Sequence, residues 1–289
     1  MKKIFITGGG GMLASEIERF YAGKGDQVQA PRHKELDVMD HAAMESALTG
    51  ARPDYVFHTA ALHVNACEDD PQLAHKLNTE ASQKLGQICQ SIGAALIYIS
   101  SCGFFGDEKK FYSEADPVVL KTVYARSKYE GEVQARQACR KTYAIRPGWL
   151  FGGSIKHQKN FVYQRYLEAK AKPVIQSAGD KFGSPTYTQD LIVKIDEILT
   201  AGRPDLYHVT NTGGCSRAEY VQKIVASCRL KNKVEPVDSS HFPRKANVPD
   251  CEMLNNANLA ALGLTPMPAW EVAIERYSRI MLKEIESSS

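Results

Sequence analysis

The sequence predicts an α/β fold built on a doubly wound parallel sheet, with a smaller carboxyl-terminal α/β lobe. Three observations predict it. Short apolar runs alternate with helix-period segments through the first half of the chain, at the rhythm of βαβ units. A glycine run from Gly8 to Gly11 directly follows the first apolar run and opens a helical pattern. The run Ala95–Ser100 is apolar almost throughout, as a strand buried on both faces requires.

Taken in order, Lys3–Thr7 reads as the first strand, and Met12–Ala22 as a helix with Leu13, Ile17 and Phe20 inward. Gln27–Ala30 is a second strand, and Asp40 caps a helix running to Thr49. Tyr55–Thr59 is the third strand, Asp70–Ile92 is mainly helical, and Ala95–Ser100 is the fourth strand. A helix over Tyr124–Ala138 and a strand over Tyr143–Arg146 follow. Beyond Pro147 the rhythm loosens. Asn160–Lys170, Asp190–Leu199 and Arg217–Arg229 read as helices, Leu206–Thr210 as a strand and Gly183–Thr186 as a turn. Pro236–Asn258 is rich in Pro and Asn and reads as loop, and Ser287–Ser289 as a frayed tail.

The composition of the 289 residues is ordinary for a globular protein, 43% hydrophobic and 24% charged. A net charge of +3, with its 36 basic residues dispersed, gives no reason to expect a nucleic-acid partner. No run approaches the ~20 apolar residues of a membrane span. The apolar run at the amino terminus falls short of the roughly 7–15 residues of a signal-peptide core. Seven cysteines without a Cys-x-x-Cys pair predict reduced thiols in a cytoplasmic protein. The eight histidines lack tight ligand spacing, so no metal site is expected.

The candidate chemistry sits at strand ends. Gly8-x-x-Gly11-x-x-Ala14 joins a strand to a helix, where small residues admit a pyrophosphate and the helix start offers free N–H groups. This is the Rossmann-type dinucleotide signature. After the second strand come Ala30, Pro31, Arg32, His33 and Lys34, with no acid before Glu35. Arg32 can pair with a 2′-phosphate, so NADP(H) is favoured and NAD(H) stays open. Ser101 closes the fourth strand, 23 residues before Tyr124. Tyr124 and Lys128 lie four residues apart, on one helical face. An ammonium beside the phenol would bring its pKa down from about 10, into the range of acid/base work. His58 and His63 read as core or supporting residues, Cys102 as a small pocket-lining residue, and Asp69–Asp70 as a helix start. The chain then divides into a dinucleotide-binding domain over 1–155, rejoined by 186–210, and a substrate lobe from 156–185 and 211–289.

These residues resemble the extended short-chain dehydrogenase/reductases, and within them the dTDP-4-dehydrorhamnose reductase group. The likeness runs nearly end to end. It is carried by Ile6-Thr7-Gly8, Glu35-Leu36-Asp37, Arg52-Pro53-Asp54, Asn78, Ile99-Ser100-Ser101 and Tyr124 to Glu132. It continues through Arg146 to Gly152, Asn160-Phe161-Val162, Gly183 to Tyr187, Tyr207-His208 and Cys215-Ser216. The resemblance implies that Tyr124 delivers a proton to a carbonyl oxygen, that Lys128 tunes it and binds the nicotinamide ribose, and that Ser101 holds the oxygen. It further implies that Gly8, Gly11, Met12, Leu13, Asp37, Val38, Ala60 and Ala61 lie along the cofactor. Cys102, Asn160, Gly183 and Ser184 would face a nucleotide-sugar substrate, an NADP-dependent reduction of a 4-keto-6-deoxysugar. Cys102-Gly103 departs from the Asp-Tyr pair usual in the group, so the sugar held can differ. Two other activities fit the same residues: an epimerase or dehydratase that recycles its cofactor, and a non-catalytic NADP-binding regulatory subunit. A homodimer is compatible with the sequence, which does not set the oligomeric state.

Overall fold

The structure, a computed structural model, describes residues 1–288. Its first half alternates β1 (Lys3–Thr7), α1 (Met12–Gly23), β2 (Gln27–Gln29), α2 (His41–Ala51) and β3 (Tyr55–His58). Then come α3 (Val64–Asp69), α4 (Pro71–His75), a π-helical turn over Lys76–Glu80, α5 (Ala81–Ile92), β4 (Ala95–Ile99), α6 (Val123–Ala138) and β5 (Thr142–Pro147). A sixth strand, β6 (Leu206–Val209), returns to the same sheet, whose order is β6-β5-β4-β3-β1-β2. All its pairings are parallel. The expected doubly wound α/β sheet is therefore present, and the change of direction falls between β1 and β3, where ligands of such sheets bind.

Burial explains the order of strands. Every residue of β4 and β5 is buried, and these apolar strands sit inside the sheet. Edge strand β2 carries Gln27 and Gln29 outward. One face is covered by α1 and by the helix Thr188–Ala201, through Leu13, Ile17, Leu191 and Ile195. The other is covered by α2 and α5, through Met44, Leu48, Leu85 and Ile88. Asp40 and Thr122 accept from the third backbone N–H of the helices they cap, and Ser216 forms a capping box with Glu219.

The second half departs more from expectation. Gly183–Thr186 is not a turn but two strand pieces, Phe182–Gly183 and Pro185–Tyr187, buried against Trp149–Phe151 and Cys215–Ser216. Pro185 starts a short strand, a place where its missing N–H costs no ladder bond. The strands Val174–Ala178 and Lys233–Val237 pair in parallel and were not read from the sequence. The helix Trp270–Ser288 was also not read, although Trp270, Ala273, Ile274, Tyr277 and Met281 recur on its buried face at helical spacing. Ser287 and Ser288 belong to that helix rather than to a frayed tail, and Ser289 lies outside the described residues. The segment Asp70–Ile92 is helical as read but is broken by the π turn.

That turn seats the helix carrying Tyr124. Asn78 Nδ2 donates to Ser127 Oγ at 3.0 Å, and a side-chain carbon on Gly131 would stand 2.0 Å from the Asn78 carbonyl oxygen. Only glycine allows this approach. Gly131→Ala should cost about 3 kcal/mol of stability, read as a lower urea midpoint at unchanged slope; an unshifted midpoint would contradict the close packing of α6 on the π turn.

Candidate active site

The glycine loop is fixed by backbone contacts. Gly8 adopts φ +75, and a side-chain carbon there would meet the Ala60 backbone nitrogen at 2.9 Å. At Gly9 such a carbon would stand 2.0 Å from the Ala30 carbonyl oxygen, while Gly9 N donates to Pro31 O at 3.0 Å. Gly11 precedes α1 and provides no side-chain cap, so the N–H groups of Met12 and Leu13 at the helix start remain available. Leu13 sends its side chain into the core, and Met12 packs toward Gly153. Arg32 lies along the loop: a carbon on Gly10 would be 3.5 Å from its Nε. Among the described residues its guanidinium forms no ion pair. Asp37 Oδ1 accepts from Met39 N at 3.0 Å, and Val38 is buried beside it. A cradle that a single methyl would fill, a free helix start and an unpaired cation fit the pyrophosphate and 2′-phosphate of NADP.

Beside this cradle, at the ends of β4 and α6, Ser101 and Tyr124 meet. Burial raises the Tyr124 phenol pKa above its ordinary value, and the neighbouring Ser101 hydroxyl acts in the opposite direction. Lys128, four residues on, is turned toward the end of β4. Its ammonium donates to the Ile99 carbonyl at 2.8 Å and lies 4.2 Å from the Tyr98 ring centroid. It is 2% exposed, and burial brings its pKa down to about 7, opposed by the charge of Glu132. Glu132 is two bonds deep in an ion pair with Arg146, at 2.7 and 2.9 Å, and accepts from Ser100 at 2.6 Å. His58 bonds Thr7 and Ser82 and is kept neutral, its pKa pushed down to about 3 by burial and by Lys128. It is a core residue.

Ser101, Cys102 and Tyr124 open onto a cavity of about 800 Å³. Five basic residues, Lys159, Lys181, Arg217, Arg244 and Lys245, line it against two acids, Asp238 and Glu252. The excess favours an anionic ligand. Among the described residues Lys159, Arg217 and Arg244 form no ion pair, whereas Lys181 pairs with Asp250 and Lys245 with Asp69. Asn160, Gly183 and Ser184 are not in this lining. Asn160 is fully buried, capping the helix Phe161–Ala171 and donating to the Tyr277 hydroxyl and the Ser154 carbonyl. Gly183 lies under the Trp149 indole, and the Ser184 hydroxyl accepts from Leu254 N at 3.2 Å. They shape the wall from behind. Sequence reasoning missed Trp149, Lys181, Arg217, Arg244 and Glu252. Only Arg217 had a local signal, standing just after the cap Ser216 of a Ser-x-x-Glu box.

A parallel sheet that ends in a nucleotide cradle, with a Ser/Tyr pair and a buried lysine beside it, defines an oxidoreductase of the short-chain dehydrogenase/reductase type. The chain belongs to the family described as the RmlD substrate binding domain, whose profile matches residues 1–282. A dTDP-4-dehydrorhamnose reductase of Mycolicibacterium smegmatis is 30% identical over 279 residues, 95% of this chain and 84% of its own. The structure of the Bacillus anthracis dTDP-4-dehydrorhamnose reductase in complex with NADP aligns at TM-score 0.91 and 30% identity, covering 96% of this chain and 98% of that one. That of a Clostridium acetobutylicum dTDP-4-dehydrorhamnose reductase aligns at 0.92 and 28% identity, covering 97% and 99%. Among the described residues no helix is long and apolar enough to cross a membrane, and no cluster of three His, Cys, Asp or Glu is placed to hold a metal ion.

The depressed Lys128 pKa has a measurable sign. Between about pH 7 and its unfolded value near 10.5, the unfolded chain holds a proton that the folded chain has released, so stability rises with pH across that window. Urea unfolding of wild type minus Lys128→Met should show this rise; a difference that is flat from pH 7 to 9.5 would mean that the ammonium is not desolvated.

Proposed function

We infer that this chain is an NADPH-dependent reductase of a dTDP-linked 4-keto-6-deoxysugar. The observation that carries the reading is the Ser101–Tyr124 pair, set between the glycine cradle and a basic-walled cavity. Bound NADPH supplies the hydride. Tyr124 gives its proton to the carbonyl oxygen, and Ser101 holds that oxygen by its hydroxyl. A phenol whose pKa is raised by burial remains a proton donor at neutral pH, the form that reduction needs. Lys128, its pKa lowered by desolvation, gains charge when anionic or hydroxyl groups of the cofactor replace the missing solvation. Its place is at the nicotinamide ribose. The unpaired Arg217, Arg244 and Lys159 would meet the pyrophosphate of the sugar nucleotide. Residues 1–155 with 186–210 are assigned to the cofactor, and 156–185 with 211–289 to the substrate, in a cytoplasmic enzyme.

Tyr124→Phe should lower kcat by roughly 10²–10⁴-fold, the worth of a positioned proton donor, while leaving the Kd for NADPH within a factor of two or so by fluorescence titration. Activity retained in this variant would sink the assignment. Net NADPH consumption separates reduction from cofactor recycling, which shows none. At equal concentration NADPH should raise Tm more than NADH. Arg32→Ala should remove about tenfold or more of that preference, the value of a charge-assisted bond; stronger stabilisation by NADH in the wild type would refute the 2′-phosphate reading.

A further inference from the structure

Glycine at position 103 leaves a gap in the cavity wall between Ser101 and an acid. A side-chain carbon on Gly103 would stand 3.1 Å from Glu252 Oε1 and 3.5 Å from Ser101 Oγ. The two oxygens therefore border one small space, and both residues line the cavity together with Tyr124. Glu252 is aimed by its surroundings. Its strand, Cys251–Glu252, pairs with Phe182–Gly183, and its Oε2 accepts from Trp149 Nε1 at 2.6 Å. The Arg217 guanidinium lies 3.4 Å from the Trp149 ring centroid, which fixes the indole in turn.

Among the described residues, Glu252 Oε1 has no hydrogen-bond donor. Glu252 is half-buried on the cavity wall, so its free oxygen is an acceptor open to a donor from a ligand. Burial raises the Glu252 pKa, and the bond from Trp149 and the charges of Arg217, Arg244 and Lys181 act in the opposite direction. An acceptor in that setting is matched by a neutral hydroxyl without stranding a further charge.

We propose that Glu252 is a specificity-determining residue that accepts a hydrogen bond from the hydroxyl on the sugar carbon next to the carbonyl held by Ser101 and Tyr124. This rests on the reductase reading above. A ring that carries a carbonyl and a neighbouring hydroxyl presents two oxygens side by side, and Ser101 and Glu252 present two partners on either side of the Gly103 gap. A sugar lacking the hydroxyl leaves the carboxylate unmatched, and sites built to bond a hydroxyl reject such analogues strongly.

The test uses the full chain with NADPH and two probes: a dTDP-linked 4-keto-6-deoxyhexose bearing the 3-hydroxyl, and its 3-deoxy counterpart. Rates of NADPH oxidation give kcat/KM for each. Wild type should prefer the hydroxyl sugar by roughly tenfold to a hundredfold, the range of a bond to a charged group. Glu252→Ala should erase the preference by slowing the hydroxyl sugar alone. Glu252→Gln, which keeps an acceptor for Trp149, should do the same and guards against a folding defect in the alanine variant. Equal losses on both sugars, or no loss on either, overturn the proposal and leave the reductase reading standing. A wild type that oxidises NADPH with neither sugar overturns both.

Discussion

Along α6, Tyr124, Lys128 and Glu132 recur every fourth residue and so share one face of the helix. At the far end of that row, the Glu132 carboxylate takes two bonds from Arg146 on β5 and one from Ser100, just beyond β4. All three groups are buried. Removing either charge from such a pair leaves the other without solvent or partner, at a cost of several kcal/mol. A rotation or slip of α6 would have the same effect. The ion pair thus sets the register of the helix on the sheet, and the meeting of Tyr124 with Ser101 depends on it. Burying charge here contributes position more than stability, since a well-packed apolar trio could hold the layers together as firmly.

The same desolvation explains why the two candidate acid/base groups move in opposite directions. Burial disfavours whichever form carries charge, so the phenol of Tyr124 holds its proton and the amine of Lys128 gives its proton up. Spacing alone suggested that the lysine acts directly on the tyrosine. The structure instead turns the lysine toward the Ile99 carbonyl, and the hydroxyl acting on the tyrosine is that of Ser101. Distance along a helix brings two side chains to one face, but which neighbours they choose is decided by tertiary packing.

Legibility in the sequence followed locality. β1, α1, β3, β4, α6 and β5 were readable because apolar periodicity, caps and glycines encode them within a few residues. The candidate site residues on their ends, Gly8, Gly11, Ser101 and Tyr124, stand out in the sequence for the same reason. In the second half, strands of two or three residues such as Phe182–Gly183 exist only because partners distant in the chain pair with them. No local pattern marks these, and Gly183-Ser184-Pro185-Thr186 carries turn-forming composition into extended backbone. Glu252 and Arg244 were hidden in a stretch that looks like loop, because their role comes from what they face. The helix Trp270–Ser288 is a different case, since its periodic apolar face is present in the sequence.

The sixth strand has a consequence for how the chain is made. β5 is complete at Pro147, but its outer neighbour β6 begins only at Leu206. On a ribosome, the amino-terminal sheet therefore emerges with β5, buried throughout in the finished fold, as its open border while residues 148–205 are still being added. That border is a template for pairing with any other extended chain. The nascent protein stays vulnerable to mispairing until a short strand, encoded well past the nucleotide-binding half, arrives to seal it.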